Sequence, residues 1–295
     1  MIDPDRTARF TEQIWSNYQR GRLGQVLAEL PKLIEVGQLL EDAATPDDRR
    51  GWAVSTRIHH LAATTLSKIG EGDLAWIAAE RAMYAADQAD DPLVLASAAR
   101  AGTHALLASG RFDDAVELGD TAAEWMRPHL GEDDPAALSL YGMLKLRTAV
   151  ATARRHDRAG TTELLDQAQQ AADRLGYDGN HWQTGFGPTN VELHRISTAL
   201  DLGDVDHVVR HGQSVTTAQL PVERQASHMI DVARAPGLAA QDADATDLLL
   251  DAERIAAPLV RHDPVVRETV KSMYRRSAVG DRALGGLAER CRALP

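Results

Sequence analysis

Three things are scarce in this 295-residue chain, and each scarcity closes off a class of protein. There is one cysteine, Cys291, so neither an internal disulfide framework nor a cysteine-rich zinc site can form. No basic side chains cluster around it to lower its pKa, so it reads as a small apolar residue or an idle thiol. Apolar runs are short: none approaches the eighteen residues of a membrane span. The stretch from Met1 to Arg9 is charged, so no signal peptide is expected and the expected location is the cytoplasm, with no membrane partner. Basic stripes are also missing. Lys and Arg are scattered, the longest basic runs being pairs such as Arg154-Arg155 and Arg275-Arg276, and the net charge is −11. Counterion release offers such a chain little, so direct nucleic-acid binding is not expected.

What is present is a globular composition, 44% apolar and 25% charged, in which aromatics supply only 4% and alanine is abundant. Small side chains let helices approach closely, and no stretch alternates apolar and polar residues with β-branched enrichment. An all-α fold follows. A short signature recurs within it: a turn residue, a polar stretch, then a small residue opening an apolar helix, clearest in Gly70-Glu71-Gly72-Asp73-Leu74-Ala75 and Gly110-Arg111-Phe112-Asp113-Asp114-Ala115. Turn marks fall at Gly21, Gly70, Gly110, His156, Gly203 and Gln241, spaced by 49, 40, 46, 47 and 38 residues. Apolar segments of period 3.6 flank them, for example Ile58–Leu66 and Leu74–Ala86, or Ala96–Leu107 and Ala115–Met126. Glycine at the mark supplies the positive φ that ends a helix, and Asp73 and Asp113 fall near the next helix start.

Acid–proline breaks at Asp90-Asp91-Pro92, Asp133-Asp134-Pro135 and His262-Asp263-Pro264 mark further helix starts. The reading is a right-handed solenoid of about six tetratricopeptide-like hairpins plus a C-terminal capping helix. It forms a single domain over 1–295: a first hairpin over 1–50, core repeats over 51–263 and a closing helix over 264–295. The connection from Gly176 to Pro188 stands apart, because it is glycine-rich yet holds Tyr177, His181, Trp182 and Phe186. Such a loop is functional or packed onto something.

Small residues at Ala63, Ala75 and Ala82, and at Thr103, Ala115 and Ala122, fit tetratricopeptide repeats. More narrowly, three stretches resemble the C-terminal sensor region of actinobacterial Cro/repressor-type helix-turn-helix transcriptional regulators. They are His60-Leu61-Ala62-Ala63 through Asp73-Leu74-Ala75-Trp76-Ile77-Ala78-Ala79-Glu80-Arg81-Ala82-Met83, Trp182-Gln183-Thr184-Gly185-Phe186-Gly187-Pro188-Thr189-Asn190-Val191 with His194-Arg195, and His262-Asp263-Pro264-Val265-Val266-Arg267-Glu268. In that family a DNA-binding domain precedes the repeats. Here Phe10, Ile14 and Trp15 already read as the first repeat helix, so DNA binding is not carried over. The resemblance implies a sensing, peptide-binding or dimerising module.

In a solenoid of hairpins the first helix of each unit lines the concave side. Counting back from the marks gives Glu12 and Trp15; Arg57, His60 and Thr64; Arg100 and His104; Met143 and Arg147; Asn190, His194 and Ser197; His228 and Asp231. Arginine forks suit carboxylates and phosphates, so the groove is expected to take an acidic small molecule, a peptide or a partner protein, with Trp15, Trp182 and Phe186 covering its apolar part. A homodimer is a further expectation, as solenoid ends often pair. No cofactor is expected. Gly185-Phe186-Gly187 runs into a proline, which spoils a phosphate cradle, and Ser139 and Ser197 lack a nucleophile elbow. His207 and His211 share a helix face but lack a zincin motif. The expected role is therefore recognition within a regulatory system. An interaction scaffold without a small ligand is the first rival. A catalyst using His60, His104 or His194 as general base is the second.

Overall fold

The computed structural model describes residues 3–131, 133–277 and 281–294. Among them are fourteen α-helices and no strand beyond an isolated bridge between Thr45 and Asp48. The helices are α1 (Pro4–Gln19), α2 (Leu23–Ala43), α3 (Arg50–Lys68), α4 (Gly72–Ala89), α5 (Pro92–Ala108), α6 (Phe112–Met126) and α7 (Pro135–Arg154), followed by α8 (Arg158–Leu175), α9 (Pro188–Asp201), α10 (Val205–His211), α11 (Val222–Leu238), α12 (Asp242–His262), α13 (Pro264–Arg276) and α14 (Arg282–Arg290). None is long and apolar enough to cross a membrane.

Six turns link the helix pairs α1/α2 through α11/α12, and they are built alike. Each has a left-handed residue: Gly21, Gly70, Gly110, His156, Gly203 or Ala240. The residue that follows donates its N–H to the carbonyl five positions back, as in Arg22 to Asn17 (3.0 Å), Glu71 to Leu66 (3.0 Å), Asp157 to Thr152 (3.2 Å) and Gln241 to Pro236 (2.8 Å). This satisfies helix-end carbonyls that would otherwise lie unpaired. Five of the six expected marks hold this position. The sixth falls on Ala240 rather than Gln241, one residue early.

Helix starts follow the acid–proline pattern. Asp91 accepts from the backbone N–H of Leu93 and Val94, Asp134 from Ala136, and Asp263 from Val265 and Val266. Asp73 and Asp113 lie in the first turns of α4 and α6 without capping the backbone, where they interact favourably with the helix dipole, and Asp113 also pairs with Arg155 at 2.8 Å. Where one closing helix over 264–292 was expected, two helices stand, with α13 ending at Arg276. Inside α12 the backbone at Ala256 leaves helical geometry two residues before Pro258, whose ring cannot continue the ladder.

Consecutive helices pack against each other, and alternate helices also meet: α1 with α3, then α3 with α5, α5 with α7, α7 with α9, and α9 with α11. Alanines make this close spacing possible. The buried face of α4 is Ala75, Ala78, Ala79, Ala82, Ala85, Ala86 and Ala89. The series then returns on itself, with α11 touching α1 and α12 touching α2. Ala226, Ala256 and Leu259 join the same apolar core as Trp15, Leu23 and Ile58. At that seam Gly21 has a positive φ of 74°, and a Cβ there would stand 2.9 Å from the Cβ of Ala256, so a side chain is excluded twice over. The odd-numbered helices α1 to α11 thus surround a central axis.

Candidate functional site

The space on that axis is lined by successive turns of the odd-numbered helices. A narrow part takes His60 and Thr64 from α3, Arg100 and His104 from α5, Met143 and Arg147 from α7, Asn190 and His194 from α9, and Glu223 and Arg224 from α11. A wider chamber of about 370 Å³ takes later residues of the same helices: Ser67 and Lys68, Leu107 and Ala108, Val150 and Arg154, Ser197 and Asp201, and Ser227, Asp231 and Arg234. The helices therefore run the same way past the axis. His104, Arg147, His194 and Arg224 line both parts and mark the junction. The expected open groove is a largely enclosed cavity, because α11 returns against α1 and a loop covers the narrow end.

That loop is the segment between α8 and α9. The amides of Asn180 and Gln19 pair at 2.9 Å in both directions. Gln183 donates to Glu12 at 2.6 Å, and Thr184 and Gly185 reach the cavity wall. Trp182 and Gln183 both adopt left-handed backbone, φ 53° and 51°, which for such residues costs about 1–2 kcal/mol each and must be held by tertiary contacts. Phe186 provides one. Its ring is fully buried against α7 over Gly142, where any Cβ would collide with it. The assignment of Phe186 to the ligand surface is thus corrected: it anchors the loop in the core and does not reach the cavity. Trp182 is also off the wall. Its ring stacks on the Arg57 guanidinium at 4.9 Å, and its carbonyl accepts from Arg100 at 3.5 Å.

Arg57 is likewise not a wall residue. It forms an ion pair with Glu12 at 2.6 Å, donates to Gln183 and lies between Trp182 and Trp15. Trp15 does line the narrow part, its Nε1–H aimed at the Arg57 carbonyl (3.4 Å) and its ring edge-on to His60. Asn190 is committed too: its amide donates to the Gly185 carbonyl at 3.0 Å and its oxygen accepts from Arg224 Nε at 3.0 Å. His228 turns away to the Gly212 carbonyl. His60, Arg100, His104, Arg147, His194 and Asp231 stand on the wall where the spacing put them.

Six wall cations, Lys68, Arg100, Arg147, Arg154, Arg224 and Arg234, face four wall acids, Asp201, Glu223, Asp231 and Asp263. Some of these charges cancel in pairs. Lys68 bonds Glu223 at 2.8 Å, and Asp201 is shared by Arg154 (3.2 Å) and Arg234 (3.0 Å). Burial alone would raise the Glu223 carboxyl, but Lys68, Arg224 and Ser227 hold it at about 2, so it stays ionised. The rest are not cancelled. Arg147 makes no hydrogen bond or ion pair among the described residues, its Nε is buried without a partner, and only its Nε lies walled in while the rest of the guanidinium faces the cavity. Burial, and then the neighbouring Arg224, push it below the usual arginine value. Arg100 is pushed down to about 9 by burial and by Arg147.

The three cavity histidines all lie well below their ordinary value, through burial first and then the arginines: Arg100 for His60, Arg147 for His104, Arg224 for His194. They are neutral at pH 7. His194 Nδ1 is 2.8 Å from the Asn190 carbonyl and must donate to it, which leaves Nε2 as an acceptor. His60 is fixed by Ser97 at 2.8 Å. Among the described residues no group of three or more histidine, cysteine or acidic side chains is placed to hold a metal ion.

Sequence reasoning missed Tyr18, Lys68, Glu223, Arg224 and the rim pair Arg154 and Arg234. One signal was available: stepping back four residues from His228 on α11 reaches Arg224, and Arg224, Ser227 and Asp231 form an i, i+3, i+7 row on the wall. No family model, curated protein or solved structure matches the chain.

Proposed function

We propose that this chain is a ligand-sensing module that takes up an anionic small molecule in the central cavity. Arg147 carries the reading. A guanidinium held inside the protein with no bonded counter-ion, Glu223 and Asp231 acting on it only at a distance, is costly to keep, and an incoming carboxylate or phosphate lowers that cost while making charge-assisted hydrogen bonds. Arg100 and Arg224 stand beside it, so the junction concentrates positive charge in a protein of net charge −11. The enclosure favours a compact ligand over the helix or tail that a scaffold groove would hold.

The proposal includes the finer architecture: a right-handed tetratricopeptide-like solenoid of about six hairpins, here wound until its ends meet, working in the cytoplasm in a regulatory system akin to the helix-turn-helix regulators it resembles. The six identical turns support it. A catalytic reading rests on the free Nε2 of neutral His194, and turnover that disappears in His194→Ala would establish it.

The test is direct. Native mass spectrometry of the purified protein reports any retained small molecule and the subunit number. Calorimetric titration with inorganic phosphate and with glutarate then measures anion uptake. Arg147→Gln is expected to weaken whichever anion binds by about 10- to 100-fold, the worth of a charge-assisted contact. Equal binding by Arg147→Gln and the parent protein would reject the reading.

A further inference from the structure

The same cavity holds a charge of the opposite sign that no bonded partner meets, although its field reaches Arg147. Asp231 lines the wide chamber and makes no hydrogen bond or ion pair among the described residues. Its natural neighbours are occupied: Arg234 and Arg154 are both bound to Asp201, and Lys68 to Glu223. Asp263, on the same wall, spends one oxygen on capping α13 and keeps the other. Along α11, Arg224 and Asp231 are seven residues apart, about 10 Å of helix axis. The unpaired cations therefore stand at the junction and the unpaired acids about two turns nearer the mouth.

The helices sharpen this polarity. Lys68, Ala108, Arg154 and Asp201 are the last residues of α3, α5, α7 and α9, and all four line the wide chamber. Four helices running the same way thus end at the mouth, where their dipoles favour a cation, while α13 begins there with Asp263 capping its positive end.

We infer that the ligand is an extended zwitterion of the ω-amino-acid type, its carboxylate or other anionic group at Arg147 and Arg224 and a primary ammonium at Asp231, the two joined by a chain of several carbons. This rests on the anion-sensing reading and adds the second charge. An α-amino acid is too short to serve both ends, because its charges are only one carbon apart.

Three probes separate the possibilities by calorimetry on the full chain: 6-aminohexanoate, its isomer norleucine with the amine on the α carbon, and hexanoate with no amine. The expected order is 6-aminohexanoate at least tenfold tighter than either of the others. Asp231→Asn should erase that advantage while leaving hexanoate unchanged, and Arg147→Gln should weaken all three. Melting curves of both variants establish that each is folded. Equal binding of 6-aminohexanoate and hexanoate, or an Asp231→Asn variant that weakens both alike, would overturn the inference while the anion site stands. Phosphate or glutarate binding with none of the three probes bound would overturn it too. If no anion of any kind binds, the sensing reading itself fails.

Discussion

Arg57 and Arg147 occupy comparable inward faces of two odd-numbered helices, yet the two ends of the cavity use them differently. Under the covering loop Arg57 has a counter-ion: Glu12 neutralises it, Gln183 accepts from it, and Trp182 and Trp15 sandwich it, leaving only its buried Nε without a partner. At the junction Arg147 has none of these. A buried cation paired with an acid holds a structure together, whereas one with no ion pair weakens it. The covered end is thus neutralised as folded, and the junction keeps an excess positive charge, which is the basis of the proposed anion site.

Substitutions should widen or erase that contrast. Phe186→Ala should have the largest effect, about 3–5 kcal/mol lost in chemical denaturation, because it empties the seat over Gly142 and frees the loop from the covered end. If the loop is only a passive cover, anion affinity at the junction will survive this change.

Acidification comes next. His60, His104 and His194 have depressed values in the fold, so below about pH 6.5 the unfolded chain takes up protons that the folded one refuses. Stability is nearly constant well above that pH and falls as the pH drops, by about 1 kcal/mol per such group between pH 7 and 5.5, and buried His59 and His228 act in the same direction. Glu223, held at about 2, keeps its ion pair throughout this window, so the loss belongs to the histidines. A saturating anion should flatten the curve by offsetting charge on His104 and His194, and should leave the share of His60, locked to Ser97, in place.

Arg57→Met should cost about 1–2 kcal/mol, through the lost ion pair and ring stacking. Arg147→Met should do the reverse and raise stability in the absence of ligand by about 1 kcal/mol, since it removes an unpaired buried charge. Thermal melts of the two variants side by side measure both. The same sign for both would dissolve the distinction between the two ends.

The helices and turns were legible because their causes are local. Periodicity marks the helices, a left-handed residue ends them, and His156 takes that position where the other marks have glycine or, at the last turn, Ala240. Ala240 was missed by one residue because neither it nor Gln241 carries the glycine that would fix the position. The site was legible where a residue's role depends on its own helix face, as for His104, Arg147 and Asp231. It was not legible where the role depends on a distant partner. Nothing near Phe186 shows that Gly142, on another helix, leaves a seat for its ring. Nothing near Arg57 shows that Glu12 will claim it. The closed shape was hidden for the same reason, since it depends on Ala226 and Ala256 meeting residues from the beginning of the chain.

The seam between α1/α2 and α11/α12 has a kinetic consequence. It joins segments about two hundred residues apart, a pairing of long sequence separation that is slow to form. A nascent chain carries an exposed apolar flank on its opening helices until α11 and α12 arrive to cover it. The central chamber is closed only at that moment, so until then its inward-facing charges stand open to water.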